Sequence, residues 1–276
     1  EVTTPTEANR MIAAPYTKVM CANNAVEQSA ALVLCSLERA RALGVPDDRM
    51  VFPLAGSDAH EHPAVSHRAE LYAAPAVGVA GRGALAAAGK TIDDIDHVDL
   101  YSCFPIAVQV GAAELGLDLD RQLTQTGGLS FAGGPWNNYV MHSIATMVGT
   151  LRDDPGSTGL IWGNGGYLTK HAFGVYSTEP PAGDGFAHIH PQDEIDALPR
   201  RDLATEFAGT APVEAWVVTY DSDNQPETVI TALRLDDGRR AWATSTAADV
   251  VASFATDDDH IGRVVARSES GALSLT

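Results

Sequence analysis

Apolar and polar residues follow two different patterns along this chain. In the longer first part, short apolar runs such as Met50–Ala55 and Leu160–Trp162 alternate with helical runs such as Ala69–Ala88, Pro105–Leu115 and Tyr139–Leu151. Strands that alternate with helices predict a layered α/β domain built on a mixed sheet. At 276 residues, one large domain or two smaller ones are expected.

Two segments near the start of the chain contain local signals for secondary structure. Thr4–Glu7 has the pattern of a capping box with proline at the first helical position, which predicts a short helix through about Ala14. The apolar run Ala30–Cys35 predicts a buried strand, after which Ser36 caps a helix that Gly44 ends.

After Thr178 the pattern changes to β. Glu179–Gly185 has the composition of a linker. Turn signals then separate apolar runs of strand length, which predict a small five-stranded, OB-like β-barrel. Four of these runs are Trp216–Tyr220, Thr228–Leu235, Arg240–Ser245 and Ile261–Ala266. The predicted organisation is an α/β domain over residues 1–178, a linker over 179–210 and the β domain over 211–276.

The charge and the cysteine content exclude several classes of protein. The formal net charge is −18, from 36 acidic and 18 basic residues, which argues against nucleic acid and anionic membranes as partners. No apolar run approaches the ~20 residues of a membrane span. No charged-then-apolar leader follows Glu1, so no signal peptide is predicted. Three scattered cysteines favour a reducing cytoplasm over a disulfide scaffold.

The segment Thr126–Pro135 is the strongest functional signal in the sequence. It contains two glycine pairs and a proline, and the helical run from Tyr139 follows almost at once. Glycine permits a close approach of the backbone to a ligand, and a helix N-terminus offers unpaired N–H groups. A second glycine turn, Gly163–Gly166, follows about thirty residues later. Both turns are candidates for close backbone contact with a ligand.

Three segments, in order, resemble the C-terminal half of thiolases over roughly Thr4–Thr178. The first comprises Glu7–Pro15 and Cys21–Ser36. The second, Tyr101-Ser-Cys-Phe104, is similar to the His-Asp-Cys-Phe of sterol-carrier-protein thiolases. The third is the glycine loop, similar to the family's Gly-His-Pro loop, followed by Ile161–Gly166 in place of its Cys-x-Gly-Gly-Gly. The tail from Pro212 resembles the additional β domain of a divergent, mycobacterial-type subgroup.

The resemblance implies a thiolase-like half, with a five-stranded mixed sheet and helices on both faces, that handles acyl-CoA as substrate or ligand without a further cofactor. Members of the subgroup are often named acetyl-CoA acetyltransferases. The family's catalytic histidine aligns with Gly134 and its second cysteine with Ile161, and its nucleophilic cysteine lies in an N-terminal half without counterpart here. We therefore expect that thiolysis is lost or altered and that this chain alone is inactive. The alternative is a non-catalytic acyl-CoA or lipid-binding module, or an assembly module.

Side chains near the matched motifs are candidates to replace the missing catalytic histidine and cysteine. Tyr101, Tyr139 and His142 are the candidates, with ordinary core residues as the competing interpretation. Backbone N–H groups and amides that would contact the thioester or CoA come from Gly133, Gly134, Asn137, Asn138, Asn164, Gly165 and Gly166. The asparagines also suit helix caps and turns.

No metal site is predicted. The cluster Asp58–His62, with His67 nearby, fits no common zinc spacing, and His188-Ile-His190 lies in the linker region.

The predicted helix Tyr139–Leu151 is apolar on nearly every face, through Val140, Met141, Ile144, Ala145, Met147, Val148 and Leu151. Such a helix is normally buried all round, since each large apolar side chain left in water costs ~1.5–3 kcal/mol. We expect an N-terminal thiolase half, a second copy or a partner subunit to cover it.

Overall fold

The computed structural model describes residues 2–183 and 185–276. Glu1, where a leader was sought, and Asp184, within the predicted linker, lie outside the described residues. The strands are β1 Met11–Ala13, β2 Tyr16–Thr17, β3 Phe52–His60, β4 His97–Asp99, β5 Thr158–Gly165, β6 Lys170–Ser177, β7 Ala187–Ile189, β8 Gly209–Tyr220, β9 Pro226–Arg234, β10 Arg240–Ser245, β11 Val264–Arg267 and β12 Leu273–Leu275. The helices are α1 Leu37–Ala42, α2 Pro75–Ala87, α3 Pro105–Leu115, α4 Tyr139–Asp153, α5 Gln192–Asp196 and α6 Ala248–Phe254.

A five-stranded mixed sheet, in the order β4-β5-β6-β3-β7, forms the centre of the α/β part and confirms the predicted fold class. The outer pairs β4–β5 and β3–β7 are parallel, and the inner pairs are antiparallel. Alternate side chains leave opposite faces of a strand. Leu160 and Trp162 of β5 therefore enter the core that α2 and α3 cover, whereas Ile161 packs beneath α4.

Helix α4 lies close to β5 because glycines face it. A Cβ added at Gly159 would lie 2.5 Å from Met147 Sδ, and one added at Gly163 would lie 2.9 Å from Val140. The buried stripe of the helix is Tyr139, Ser143, Met147 and Leu151. Its other side exposes Met141, Ala145 and Gly149, so this chain buries one face of α4 and not the whole helix.

The β part is an antiparallel sheet in which β8 pairs with β9 on one side and with β11 on the other. Helix α6 packs Val250, Val251 and Phe254 into its core. The predicted strands are confirmed. Within the described residues, however, the barrel is not closed, because β12 is short and β10 reaches it only through an isolated bridge between Thr244 and Ala272.

Two local predictions near the start are wrong. In place of the helix predicted from Thr4, Thr6 Oγ1 accepts a hydrogen bond from Asn9 N at 3.0 Å, and β1 pairs with Thr219 of β8. The run Ala30–Cys35 forms no strand among the described residues, and Val33 and Leu34 are 96% and 78% exposed. An apolar run becomes a strand only where another strand pairs with it.

Contacts divide the chain into two compact units. One unit contains Glu1–Cys21, Ala64–Leu71 and Pro199–Thr276, and the other contains Ala22–Pro63 and Tyr72–Leu198. These units are discontinuous in sequence. The reason is that β1 joins β8, while β7 and α5 join the five-stranded sheet. In the described chain, no helix has the length and apolar character that crossing a membrane requires.

Candidate functional site

A cavity of about 420 Å³ lies where the glycine loop, the start of α4 and the end of β5 meet. It brings together seven predicted site residues, namely Tyr101, Tyr139, Gly134, Asn137, Asn164, Gly165 and Gly166. The remaining lining residues are Ala22, Asn24, Leu129, Trp136 and Val140. The two glycine turns, separated by about thirty residues in sequence, thus form one site.

Three predicted site residues do not line this cavity. His142 Nε2 lies 3.4 Å from Asn138 Nδ2, so these two side chains pair with each other on the first turn of α4. Gly133 faces the chain segment before α1, where an added Cβ would meet Gln28 Nε2 at 2.7 Å. These contacts favour structural roles for all three residues.

Tyr101 and Tyr139 form the polar wall of the cavity. Their rings meet edge to face, with centroids 5.5 Å apart at an interplanar angle of 86°. Burial, with smaller contributions from Cys103 and Tyr139, raises the pKa of Tyr101 to about 12. Burial, together with the nearby charge of Asp99, also raises the pKa of Tyr139. Both phenols therefore stay protonated near neutral pH, which makes them hydrogen-bond donors and poor bases.

A fully buried carboxylate holds this wall in place. Asp99 Oδ1 accepts from Ser143 Oγ at 2.9 Å, and Oδ2 accepts from the backbone N–H groups of Gln125 at 2.8 Å and Thr126 at 3.0 Å. The Thr126 hydroxyl in turn lies 2.6 Å from the Tyr139 hydroxyl. Asp99 was not among the predicted site residues, although a charged residue between the apolar Val98 and Leu100, at the end of a short strand, was a signal for it.

Asn164 carries an unused hydrogen-bonding group at the cavity. Its Oδ1 atom is buried, and no donor among the described residues reaches it. A buried acceptor without a partner costs ~1–3 kcal/mol, so such groups usually mark a bound water or ligand. The side chain is therefore suited to accept a hydrogen bond from a ligand N–H or O–H group.

The glycine loop offers fewer free backbone N–H groups than the sequence implied. The N–H of Gly134 donates to Asn23 O at 2.7 Å and is thus committed within the protein. Trp136, which the sequence analysis did not select, lines the cavity in a left-handed conformation with φ +51° while its side chain is 75% exposed. A left-handed bulky residue is costly and is most often found at functional sites.

The cavity contains hydrogen-bond donors and apolar surface but no base. Among the described residues, Tyr101 and Tyr139 are its only titratable lining side chains. Ile161, at the position aligned with the family's second cysteine, is buried against α4 and does not line the cavity. The arrangement can hold and polarise a carbonyl group, but it contains no nucleophile.

Comparisons with known proteins agree with this architecture. A family described as the thiolase-like protein type 1 additional C-terminal domain matches residues 191–271, and one described as thiolase C-terminal domain-like matches residues 57–120. The chain therefore belongs to the thiolase superfamily, in the divergent branch that carries the additional C-terminal domain.

Within that branch, a solved structure gives a closer comparison. The crystal structure of a monomeric SCP2-thiolase-like protein type 1 from Mycobacterium smegmatis is 40% identical to this chain, with a TM-score of 0.90. The match covers 100% of this chain and 61% of the other, so the present chain spans about three-fifths of that protein's length. No curated protein sequence matches the chain significantly.

Proposed function

We propose that this chain is part of an acyl-CoA-handling protein of the thiolase superfamily in which ordinary thiolysis is lost or altered. The observation that carries the proposal is the cavity itself, whose only titratable lining side chains among the described residues are the two protonated tyrosines. Thiolysis needs a thiolate and a base. With Gly134 and Ile161 at the aligned positions, neither group comes from this cavity.

The cavity suits the thioester end of an acyl-pantetheine chain. The Tyr101 hydroxyl can donate to the thioester oxygen, and the buried Oδ1 of Asn164 can accept from an amide N–H of the pantetheine arm. Leu129 and Val140 supply an apolar wall for a short acyl group. A pocket with mainly apolar lining and a few placed polar groups is typical of small-molecule sites.

The phosphates of CoA need a different surface. No lysine or arginine of the described chain lines the cavity, and the net charge of the protein is −18. Lys170, at the rim, approaches the cavity-lining Gly165, where an added Cβ would lie 3.0 Å from Lys170 Cε. We expect Lys170 to contribute to binding of the nucleotide end and not of the pantetheine end.

Binding and turnover of acetyl-CoA by the 276-residue chain test this proposal. We expect saturable binding in calorimetry and no acyl transfer to a thiol. In Lys170→Gln, which lacks the rim cation, acetyl-CoA and acetyl-pantetheine should bind with similar affinity. Asn137→Ala should weaken binding, whereas the matched control Asn138→Ala should not, because Asn138 lies outside the cavity. If neither thioester binds, or if both asparagine variants bind equally weakly, the proposed site is wrong.

The second candidate is a non-catalytic acyl-CoA or lipid-binding module or an assembly module, and the absence of a base from the described cavity favours the binding form of it. Turnover distinguishes this candidate from an altered enzyme. Thioester cleavage that Tyr101→Phe abolishes would establish chemistry at the phenol. Binding without any cleavage would establish the module, and binding of neither ligand would leave the assembly role.

We further propose that an N-terminal thiolase half covers the outer face of α4 and the segment Ala30–Cys35. Val33 and Leu34 are almost fully exposed, and the related structure is both longer and described as monomeric, which favours a cover from the same polypeptide over a second copy. Hydrogen exchange should find residues 30–35 unprotected in this chain and protected in a longer polypeptide. Protection in an isolated monomer of this chain would refute the proposal.

A further inference from the structure

We propose that Asp58, His188 and His190 bind a divalent transition-metal ion at the β7 edge of the five-stranded sheet. The Asp58 Oδ1 atom lies 3.1 Å from His188 Nε2 and 3.0 Å from His190 Nδ1. All three donor atoms lie within 4.8 Å of one another. This site is separate from the cavity residues, and it departs from the expectation that the protein has no metal site.

The backbone brings these side chains together. Strand β7 runs parallel to β3, with His188 beside Gly56 and Ile189 beside Ser57. Because side chains alternate along a strand, His188 and His190 share one face and flank Asp58, while Ile189 points to the opposite face. The sequence spacing cannot indicate this arrangement, because the aspartate and the histidines are far apart in the chain.

Two imidazoles and one carboxylate form a ligand set that zinc and other late first-row transition metals prefer. Imidazole nitrogen and carboxylate oxygen bind Zn²⁺, Co²⁺, Ni²⁺ or Cu²⁺, whereas Mg²⁺ and Ca²⁺ prefer oxygen alone. Two ligand atoms about 2.1 Å from one ion, at angles between octahedral and tetrahedral, lie about 3.0–3.4 Å apart. The two nitrogen–oxygen distances, 3.1 and 3.0 Å, agree with such a shared ion.

The surroundings leave room for an ion and its outer ligands. The side chains of Asp58, His188 and His190 are 40%, 42% and 63% exposed, so water can complete the coordination. Gly56 lies directly beside the site, where an added Cβ would approach Phe186 to 3.2 Å and His188 to 3.6 Å. The three donor atoms therefore converge at a solvent-accessible position on the sheet edge.

Simple hydrogen bonding from each imidazole to the carboxylate is the competing explanation. The protein contains a natural comparison for it, because His97 Nε2 lies 2.9 Å from Asp154 Oδ2 with no second histidine in that pair. Two rings that converge on one carboxylate oxygen go beyond this ordinary pair. Their centroids are 4.7 Å apart in an edge-to-face arrangement, with both donor nitrogens directed at Asp58.

Titration of the untagged 276-residue chain with Zn²⁺, and with Co²⁺ as a visible-absorption probe, tests the proposal. We expect one equivalent to bind and to raise the melting temperature. Asp58→Asn, His188→Gln and His190→Gln should each weaken binding by at least about 10-fold. Because these side chains are partly exposed, the variants should melt normally without metal, which circular dichroism checks.

His97→Gln is the matched control, since it removes a histidine from the other histidine–aspartate pair. It should leave Zn²⁺ affinity and the Co²⁺ spectrum unchanged. Absence of a saturable equivalent, or equal binding by the wild type and all three ligand variants, would overturn the proposal. Equal loss in His97→Gln would do the same, because it would indicate non-specific binding by surface histidines.

Discussion

Asn164→Leu separates stability from ligand binding at the proposed site. In the free protein the buried Oδ1 atom of Asn164 has no donor among the described residues, and an unpartnered buried acceptor costs ~1–3 kcal/mol. Leucine has a similar size and no polar atom. We therefore expect the variant to be about 1 kcal/mol more stable than the wild type in chemical denaturation, which is unusual because most substitutions destabilise.

The same variant should bind acyl-CoA less tightly. Loss of one hydrogen bond is worth ~0.5–1.5 kcal/mol, which corresponds to an increase in Kd of about 2- to 12-fold in calorimetry. Asn138→Leu is the matched control, since its amide contacts His142 outside the cavity and should lower stability without changing Kd. A destabilised Asn164→Leu variant with unchanged Kd would refute the reasoning at both points.

Three further predictions concern groups that support the fold and the site. The pKa of Tyr101 is raised to about 12 in the folded protein, above the value of ~10 for tyrosine in an unfolded chain. The contribution of the Tyr101 phenol to folding stability is therefore complete below pH ~10 and is lost as pH rises towards ~12. Wild-type unfolding free energy should thus fall more steeply than that of Tyr101→Phe over this range, and equal slopes would contradict the raised pKa. Asp99→Asn should cost ~1.5–3 kcal/mol in urea denaturation, because the hydrogen bonds to this side chain lose their ionised acceptor, and a loss below ~0.5 kcal/mol would argue against the buried network. Arg240 is fully buried and donates to both carboxylate oxygens of Glu214 and to three backbone carbonyls. Arg240→Lys should therefore cost ~3–5 kcal/mol in thermal or chemical unfolding. A near-neutral result would contradict a stabilising role for these hydrogen bonds.

Much of the fold could be predicted because its signals are local. Pro105 begins α3 and Gly116 ends it in a left-handed conformation, as the sequence punctuation indicates, whereas α2 begins at Pro75 and not at the predicted Ala69. The glycine turns at Gly134 and Gly165 meet in one cavity, which their shared resemblance to a known half-domain implied.

The errors arise where long-range pairing decides the outcome. The segment from Thr4 has good helix-start residues, yet pairing with β8 makes part of it a strand, because tertiary contacts outweigh a weak local preference. Ala30–Cys35 has the composition of a buried strand but lacks a pairing partner in the described chain. Asp58 and His188 meet only through the register of β3 with β7, which no local pattern records.

The described cavity lining lacks reactive groups, and the same unit exposes large apolar side chains; both features favour a further polypeptide. The cavity supplies donors and apolar walls, while its described lining contains no nucleophile, base or phosphate-binding cation. In the same compact unit, the large apolar side chains of Val33, Leu34 and Met141 are exposed, at ~1.5–3 kcal/mol for each one left in water. The N-terminal half proposed above would bury such surface. We therefore expect any thiolase chemistry in which these 276 residues take part to use reactive groups from the proposed N-terminal half, and we expect the chain alone to be inactive.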